Sequence, residues 1–360
     1  MKIGILTYHN VVNYGAVLQA YALQQFLSNK GYDAEIIDYQ NDYFKKFYSP
    51  FYITKPYLRK TLYMLYAFRQ KSIRLKKFAE FRNKFLVQSS EQYIPSNISN
   101  IDSKYDCIIV GSDQVWNLVL SDGDENYFIP FAHNAKKVSY AASIGMKNIP
   151  EKYDKLFGTL VNGFDVISVR EKSAAELLTK YTDKPVSVNN DPVLLLSKQE
   201  WGKLDDIKNR VLDGDYILVY KINKDDSYKY AGELSKTTNM PVIVIKPDKT
   251  CNIDCTKVKC ASPDQFVSLF YNARYVITDS FHGTVFSIIF EKQFVYVPDT
   301  SADNRNVRII DLLDKVGLSS RAFNNDINAI NETIDYNVVR NLLEKERSIS
   351  EDYLRKAIES

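Results

Sequence analysis

At 360 residues the chain is too long for one ordinary core, so two domains are expected, and 45% hydrophobic with 25% charged residues describes a globular protein. A net charge of +3 is too small for a dedicated nucleic-acid binder. Four cysteines, Cys107, Cys251, Cys255 and Cys260, make no secreted disulfide framework at this length; the last three match no common zinc spacing and have no histidine near them, so they read as reduced thiols and no metal is expected.

Residues 2–8 read as a buried strand, with Lys2 at its start and His9 and Asn10 breaking it, which is not the pattern of a signal peptide. No apolar run has the length needed to cross a bilayer, and a cytoplasmic protein is the expectation. Residues 16–29 form a predicted helix closed by Gly31. The connecting loop holds His9, Asn13, Tyr14 and Gly15 and lacks the G-x-G-x-x-G fingerprint, which counts against a nicotinamide cofactor. It reads either as a receptor for a phosphate or carboxylate at the helix start, or as an ordinary polar loop capped by Asn13.

After a strand at 34–39 the pattern changes. Between Lys55 and Phe85 ten Lys or Arg accompany one acidic residue, Glu80, on a background of apolar residues at helical spacing, among them Leu58, Leu62, Leu65, Phe68, Phe78 and Phe81. That describes an amphipathic helical insertion: either a basic face for an anionic membrane surface or a polyanionic acceptor, or a helix packed on its own domain. A strand at 105–110 then runs straight into Gly111, Ser112, Asp113, Gln114 and, after Val115 and Trp116, Asn117. These polar groups are placed to hydrogen-bond a ligand, and they could equally cross-link loops.

Strands follow at 137–143 and 165–169, the second ending at Arg170, which opens a helix with Ser173 in its first turn. A guanidinium at a strand end beside a helix start can clamp a carboxylate or phosphate, or pair with a neighbour such as Glu171. The polar stretch 197–215 is the expected hinge. Beyond it strands at 216–220, 241–245 and 294–297 and helices at 227–235, 263–272 and 308–316 alternate in a second series, and a last helix at 336–358 is expected to pack back on the first domain.

The most informative stretch lies within that second series. An apolar run at 275–277 ends in Thr278 and Asp279, then Ser280, Phe281, His282, Gly283 and Thr284 open a second apolar segment at helical spacing. This is strand, tight turn, helix, with one of only three histidines at the mouth. In an open parallel sheet that mouth is where ligands bind. A lone histidine in a turn is also a common cap. The fold class expected is α/β: two Rossmann-like, doubly wound domains facing across a cleft, at about 1–200 and 212–335, with 336–360 returning to the first.

The loop at 13–15, the cluster at 111–117, the segments at 139–145, 169–173 and 191–193 and the Ser280-Phe-His-Gly283 turn resemble, in this order, the motifs of the polysaccharide pyruvyl transferase family. The resemblance extends from residue 2 to about 321. It implies a GT-B-like fold and transfer of a pyruvyl unit from phosphoenolpyruvate, as donor substrate and with no cofactor, to two hydroxyls of a saccharide acceptor. It also implies that Arg170 and Ser173 belong to the donor site and that His282 is the family histidine. Many members carry Arg where this chain has Ser280, so Arg305 or Arg308 is the expected substitute cation. His282 is then the general acid/base, Asp113 an orienter or acceptor-hydroxyl base, and Ser280, Gly283 and Thr284 the donor's helix N-terminus. Two rival readings use the same architecture: a glycosyltransferase with a nucleotide-sugar donor, and a non-catalytic saccharide-binding protein. The basic insertion prompts a further expectation, a lipid-linked acceptor and peripheral contact at the inner membrane face.

Overall fold

The computed structural model describes residues 1–49, 61–204, 207–223, 226–298, 303–323 and 327–360. The chain divides into two compact units, residues 1–196 with 346–360, and residues 197–345.

The first unit contains β1 (Lys2–Leu6), α1 (Tyr14–Asn29), β2 (Asp33–Tyr39), α2 (Asp42–Tyr48), α3 (Thr61–Phe85), β3 (Gln88–Tyr93), β4 (Cys107–Val110), β5 (Lys136–Ser139), α4 (Glu151–Asn162), β6 (Ile167–Val169), α5 (Lys172–Leu178) and β7 (Val186–Val188). Its main sheet is all parallel in the order β3-β2-β1-β4-β5, and two bridges, Val138 to Val166 and Ala142 to Val169, join β5 to the β6-β7 pair. Central strands of a parallel sheet are covered on both faces and so read as continuous apolar runs. Ile3 and Ile5 of β1 and all four residues of β4 are fully buried for that reason. The edge strand β3, Gln-Ser-Ser-Glu-Gln-Tyr, is polar because one side needs no partner.

Helix α3 is the predicted insertion. Phe78 and Phe81 are buried and lie against Tyr14 and Tyr21 of α1, with ring centroids 5.1 and 6.0 Å apart, so this half of the apolar stripe is spent on the domain. Lys55 and Leu58, and the side chains of Leu62 and Leu65, lie outside the described residues. Further along, Trp116 is fully buried and stacks on Phe128 at 5.6 Å.

The second unit contains α6 (Lys198–Trp201), β8 (Ile217–Tyr220), α7 (Ser227–Thr238), β9 (Val242–Ile245), β10 (Thr256–Val258), α8 (Pro263–Asn272), β11 (Tyr275–Thr278), α9 (Phe281–Ile289), β12 (Gln293–Tyr296), α10 (Asp303–Lys315) and the start of α11 (Tyr336–Glu359). Its sheet, β10-β9-β8-β11-β12, is parallel throughout and repeats the topology of the first. Chain order reverses between β8 and β11, as it does between β1 and β4. These are the two switch points at which open α/β sheets leave a crevice at the strands' carboxyl ends. Trp201 is fully buried edge-on to Phe286 of α9, at 5.1 Å.

From Glu346 onward α11 belongs to the first unit. There Arg347 donates from Nε to the carbonyl of Leu194 at 2.7 Å, and the Tyr353 hydroxyl donates to the carbonyl of Ser139 at 2.8 Å. Among the described residues no helix is long and apolar enough to cross a membrane.

Candidate active site

Strand β11 ends at Thr278, and the next six residues build a turn that every local contact tightens. The Thr278 hydroxyl donates to the carbonyl of Tyr220 at the end of β8 (2.6 Å) and accepts from the Ser280 N–H (3.1 Å). The Asp279 carboxylate accepts from the N–H groups of Ile222 and Asn223 at 2.7 and 2.6 Å, tying the two strand ends together at the switch point. Ser280 is the N-cap of α9, its Oγ accepting from Gly283 N–H at 3.4 Å and its carbonyl accepting from Thr284 N–H at 2.9 Å. Val285, Phe286, Ile288 and Ile289 then bury the helix in the unit's core.

Glycine at 283 is a steric requirement. A Cβ there would stand 2.2 Å from Thr278 Oγ1, inside the turn that sets the strand-to-helix angle. Gly283→Ala is therefore expected to destabilise the protein by about 1–3 kcal/mol, the cost of overpacking, although alanine is the better helix former. The urea midpoint measures it; a midpoint equal to wild type would mean that Thr278 can yield.

His282 occupies the second position of α9, half-buried, with its ring 5.3 Å from that of Phe281 and nearly perpendicular to it. The Arg308 guanidinium lies over the other ring, 6.0 Å from the Phe281 centroid. Helix α10 is held in that position because Tyr296 of β12 donates its hydroxyl to the Asn306 side chain at 2.6 Å. Imidazole and guanidinium thus flank one phenyl ring. Thr284 is fully buried, and its hydroxyl has no hydrogen-bond partner among the described residues. Arg305 lies on α10, and its side chain is outside the described residues.

In the first unit the fold itself engages several of the expected site residues. Arg170 is held within the protein: its side chain is 5% exposed, with Nε 3.1 Å from Glu171 Oε1, the neighbour the sequence offered, and Nη1 2.7 Å from Asp191 Oδ2. Burial works against its charge, but Glu171, Asp191 and Asp113 together hold its pKa above the ordinary arginine value. Glu171 in turn accepts from the Ser143 hydroxyl at 2.8 Å, and Asp191 caps the following turn through Val193 N–H. Arg170 therefore locks three loops together. Ser173 is exposed on the first turn of α5.

His9 is likewise a core residue. It is fully buried, with Nε2 3.1 Å from Asp38 Oδ1 and Nδ1 3.3 Å from the Thr7 carbonyl. Asn13 spends its Oδ1 on capping α1 through Gly15 and Ala16 N–H, while Tyr14 and Gly15 are buried behind it. His133, the remaining histidine, donates its backbone N–H to Asp102 in an exposed turn. Ser112 is fully buried, donating its hydroxyl to the Ala141 carbonyl and its N–H to Gln19 Oε1. Asn117 donates to Gln114, whose amide sits against Gly145, where a Cβ would come within 2.6 Å. The polar cluster is thus largely a loop cross-link. Asp113 is the exception. It is half-buried with its side chain accepting only from Gln114 N–H among the described contacts, and its charge adds to burial in raising the pKa of both Tyr8 and Tyr48.

Those two tyrosines border a cavity of about 230 Å³ beyond the carboxyl ends of β1 and β2. Tyr39, Phe44 and Tyr127 line it as well, with Asn10, Gln40, Asn41 and Lys45 among its polar groups, and Leu75 of α3 closes one side. Sequence reasoning missed this cavity, and it missed Asp279 and Lys221. Lys221 follows β8 at the second unit's switch point, buried over the Tyr228 ring at 4.4 Å and 3.7 Å from Asp248. The signal for both was present: each directly follows an apolar strand.

Two parallel sheets of repeated topology, each with a switch point in its strand order, define an α/β protein of the GT-B-like class. Solved structures agree on the fold. A candidate UDP-N-acetylglucosamine 2-epimerase from Listeria monocytogenes matches with a TM-score of 0.52 at 11% identity, over 98% of this chain and 97% of its own. The UDP-GlcNAc 2-epimerase of Methanocaldococcus jannaschii, in complex with UDP-GlcNAc and UDP, matches with 0.50 at 14% identity, over 96% and 94%. At such identities the likeness concerns the fold alone. No curated protein matches the chain in sequence. The family model for polysaccharide pyruvyl transferase matches residues 13–300, and the chain belongs to that family. It is accordingly a transferase.

Proposed function

We propose that the protein transfers the pyruvyl unit of phosphoenolpyruvate to two hydroxyls of a saccharide, leaving a pyruvate ketal and inorganic phosphate. The observation that carries this reading is the imidazole of His282 at the mouth of β11, on the first turn of a capped helix, with Arg308 across the Phe281 ring. A doubly anionic enol ester calls for a cation and helix N–H groups beside a proton donor.

In this reading the second unit serves the donor. His282 gives a proton to the methylene carbon, so that C3 becomes a methyl group and C2 an electrophile. One sugar hydroxyl adds to C2 and loses its proton to a base, and Asp113 is the carboxylate assigned to that role. The C2–O bond to phosphate then breaks, phosphate leaving with the electron pair, and the second hydroxyl closes the ketal as its own proton departs. Arg308 steadies the carboxylate or phosphate, in the position that Ser280 leaves without a guanidinium. Ser280 and Gly283 keep their structural work of cap and close approach.

Phosphate release from phosphoenolpyruvate, measured against a panel of saccharides, tests the reading. The expected result is release that depends on an acceptor, with a new methyl singlet in the proton spectrum of the product. Release equal with and without acceptor, or none with any saccharide, would overturn it.

A further inference from the structure

Among the described residues, the cavity between the ends of β1 and β2 contains no group that the proposed chemistry uses. Its walls are aromatic. Tyr8 meets Phe44 and Tyr127 edge-on at 4.8 and 4.7 Å, and Tyr39 meets Tyr127 at 5.4 Å, so the rings brace one another with little freedom to collapse. Tyr8 is 3% exposed and lines the cavity, with Ser121 as the hydrogen-bond partner of its hydroxyl. Aromatic faces with a few fixed amides and hydroxyls are how proteins hold a sugar ring: C–H faces stack and hydroxyls are hydrogen-bonded. A volume of about 230 Å³ suits one such ring and not an oligosaccharide.

The mouth of the cavity has a different character. Lys45 borders it, and Arg74 stands next to Leu75 in α3, which closes its side. Neither Lys45 nor Arg74 forms an ion pair among the described residues, and the buried Arg74 Nε has no hydrogen-bond partner there. Lys71 is one helical turn away and donates to the Phe47 carbonyl at 3.1 Å. Burial and the nearby Arg74 both lower the Lys71 pKa. The Arg74 charge also reaches the Tyr48 hydroxyl. The acidic groups nearest this wall are Asp113, felt at Tyr8 and Tyr48, and Asp124, which is held by Asn41 and Tyr39.

We infer that this cavity is the acceptor subsite and that the acceptor is a glycosyl phosphate: one sugar ring against Tyr8, Tyr39 and Tyr48, its anomeric phosphate on Lys45 and Arg74. The inference rests on the saccharide-acceptor reading above and adds to it the phosphate. A nucleotide and a polyprenyl carrier would present the same group.

Binding without phosphoenolpyruvate, by calorimetry on the full chain, tests it. The probes are a panel of hexose 1-phosphates, the corresponding free hexoses and inorganic phosphate. At least one hexose 1-phosphate is expected to bind roughly tenfold or more tightly than either of its parts, the gain of one charge-assisted contact. Lys45→Ala and Arg74→Ala should each remove that gain while leaving the weak affinity for the free hexose. Tyr48→Ala should abolish sugar binding, with urea midpoints reporting that each variant folds. Equal affinity for phosphorylated and free sugars, or for wild type and the two cation variants, would sink the proposal. Parallel titrations with UDP-hexoses and with short-chain polyprenyl diphosphate hexoses distinguish the two carriers. If hexose phosphates bind here and phosphoenolpyruvate is never turned over, the function proposed above fails and this site stands. If turnover proceeds with free sugars and Arg74→Ala leaves their KM unchanged, the site fails and the function stands.

Discussion

His282→Ala is expected to reduce kcat for phosphate release from phosphoenolpyruvate by about 10² to 10⁴, the usual loss when a positioned acid/base is removed. The side chain is half-buried on the first turn of α9, and the cap and close approach that shape this turn belong to Ser280, Gly283 and Thr278. The variant should therefore keep its urea midpoint. Because the proton is delivered in the transition state, kcat and kcat/KM should fall together, with little change in KM. A rise in KM at unchanged kcat would assign His282 to binding, and near-normal turnover would remove it from the chemistry altogether. Arg308→Ala supplies the contrast: a cation that holds the donor in the ground state should show first in KM for phosphoenolpyruvate.

Arg170→Ala should be the most damaging substitution for stability, by roughly 3–5 kcal/mol, because it leaves Glu171 and Asp191 buried without their counter-charge. Against a total of about 5–15 kcal/mol for a typical domain, that is a large fraction of the folding margin. The loss comes from the stranded carboxylates more than from the missing attraction. Replacing all three charges, as Arg170→Met with Glu171→Gln and Asp191→Asn, should accordingly recover most of it. Arg170→Lys should recover little, since an ammonium cannot serve two carboxylates with the geometry of a planar fork. Denaturant unfolding of the set decides. If Arg170→Ala unfolds like wild type but binds phosphoenolpyruvate weakly, the donor-clamp role suggested by the sequence is restored.

The second unit's switch point was legible because its determinants are local. The apolar run of β11, the cap at Ser280 and the glycine at 283 lie within nine residues, and each acts on a neighbour. The buried central strands were legible for the same reason. Edge strands β3 and β10 were not, since Gln-Ser-Ser-Glu-Gln-Tyr and Thr-Lys-Val do not carry the apolar signature of strands covered on both faces. For His9 and Arg170 the sequence left two readings open, for a reason it cannot show. Their partners Asp38 and Asp191 lie 29 and 21 residues further along, and only the sheet brings them together. The aromatic cavity was missed because Tyr8, Tyr39, Phe44 and Tyr127 look like ordinary core residues one at a time. Two strand ends and two helices are needed before they enclose a space.

The chain's two tryptophans fall one to each unit, Trp116 on Phe128 in the first and Trp201 on Phe286 in the second. Both are fully buried, so their emission should shift to the red only when the surrounding core opens. Replacing one or the other with phenylalanine turns the protein into two single-fluorophore reporters. With these, the damage from Arg170→Ala can be followed in its own half of the molecule while the half bearing His282 serves as an internal control.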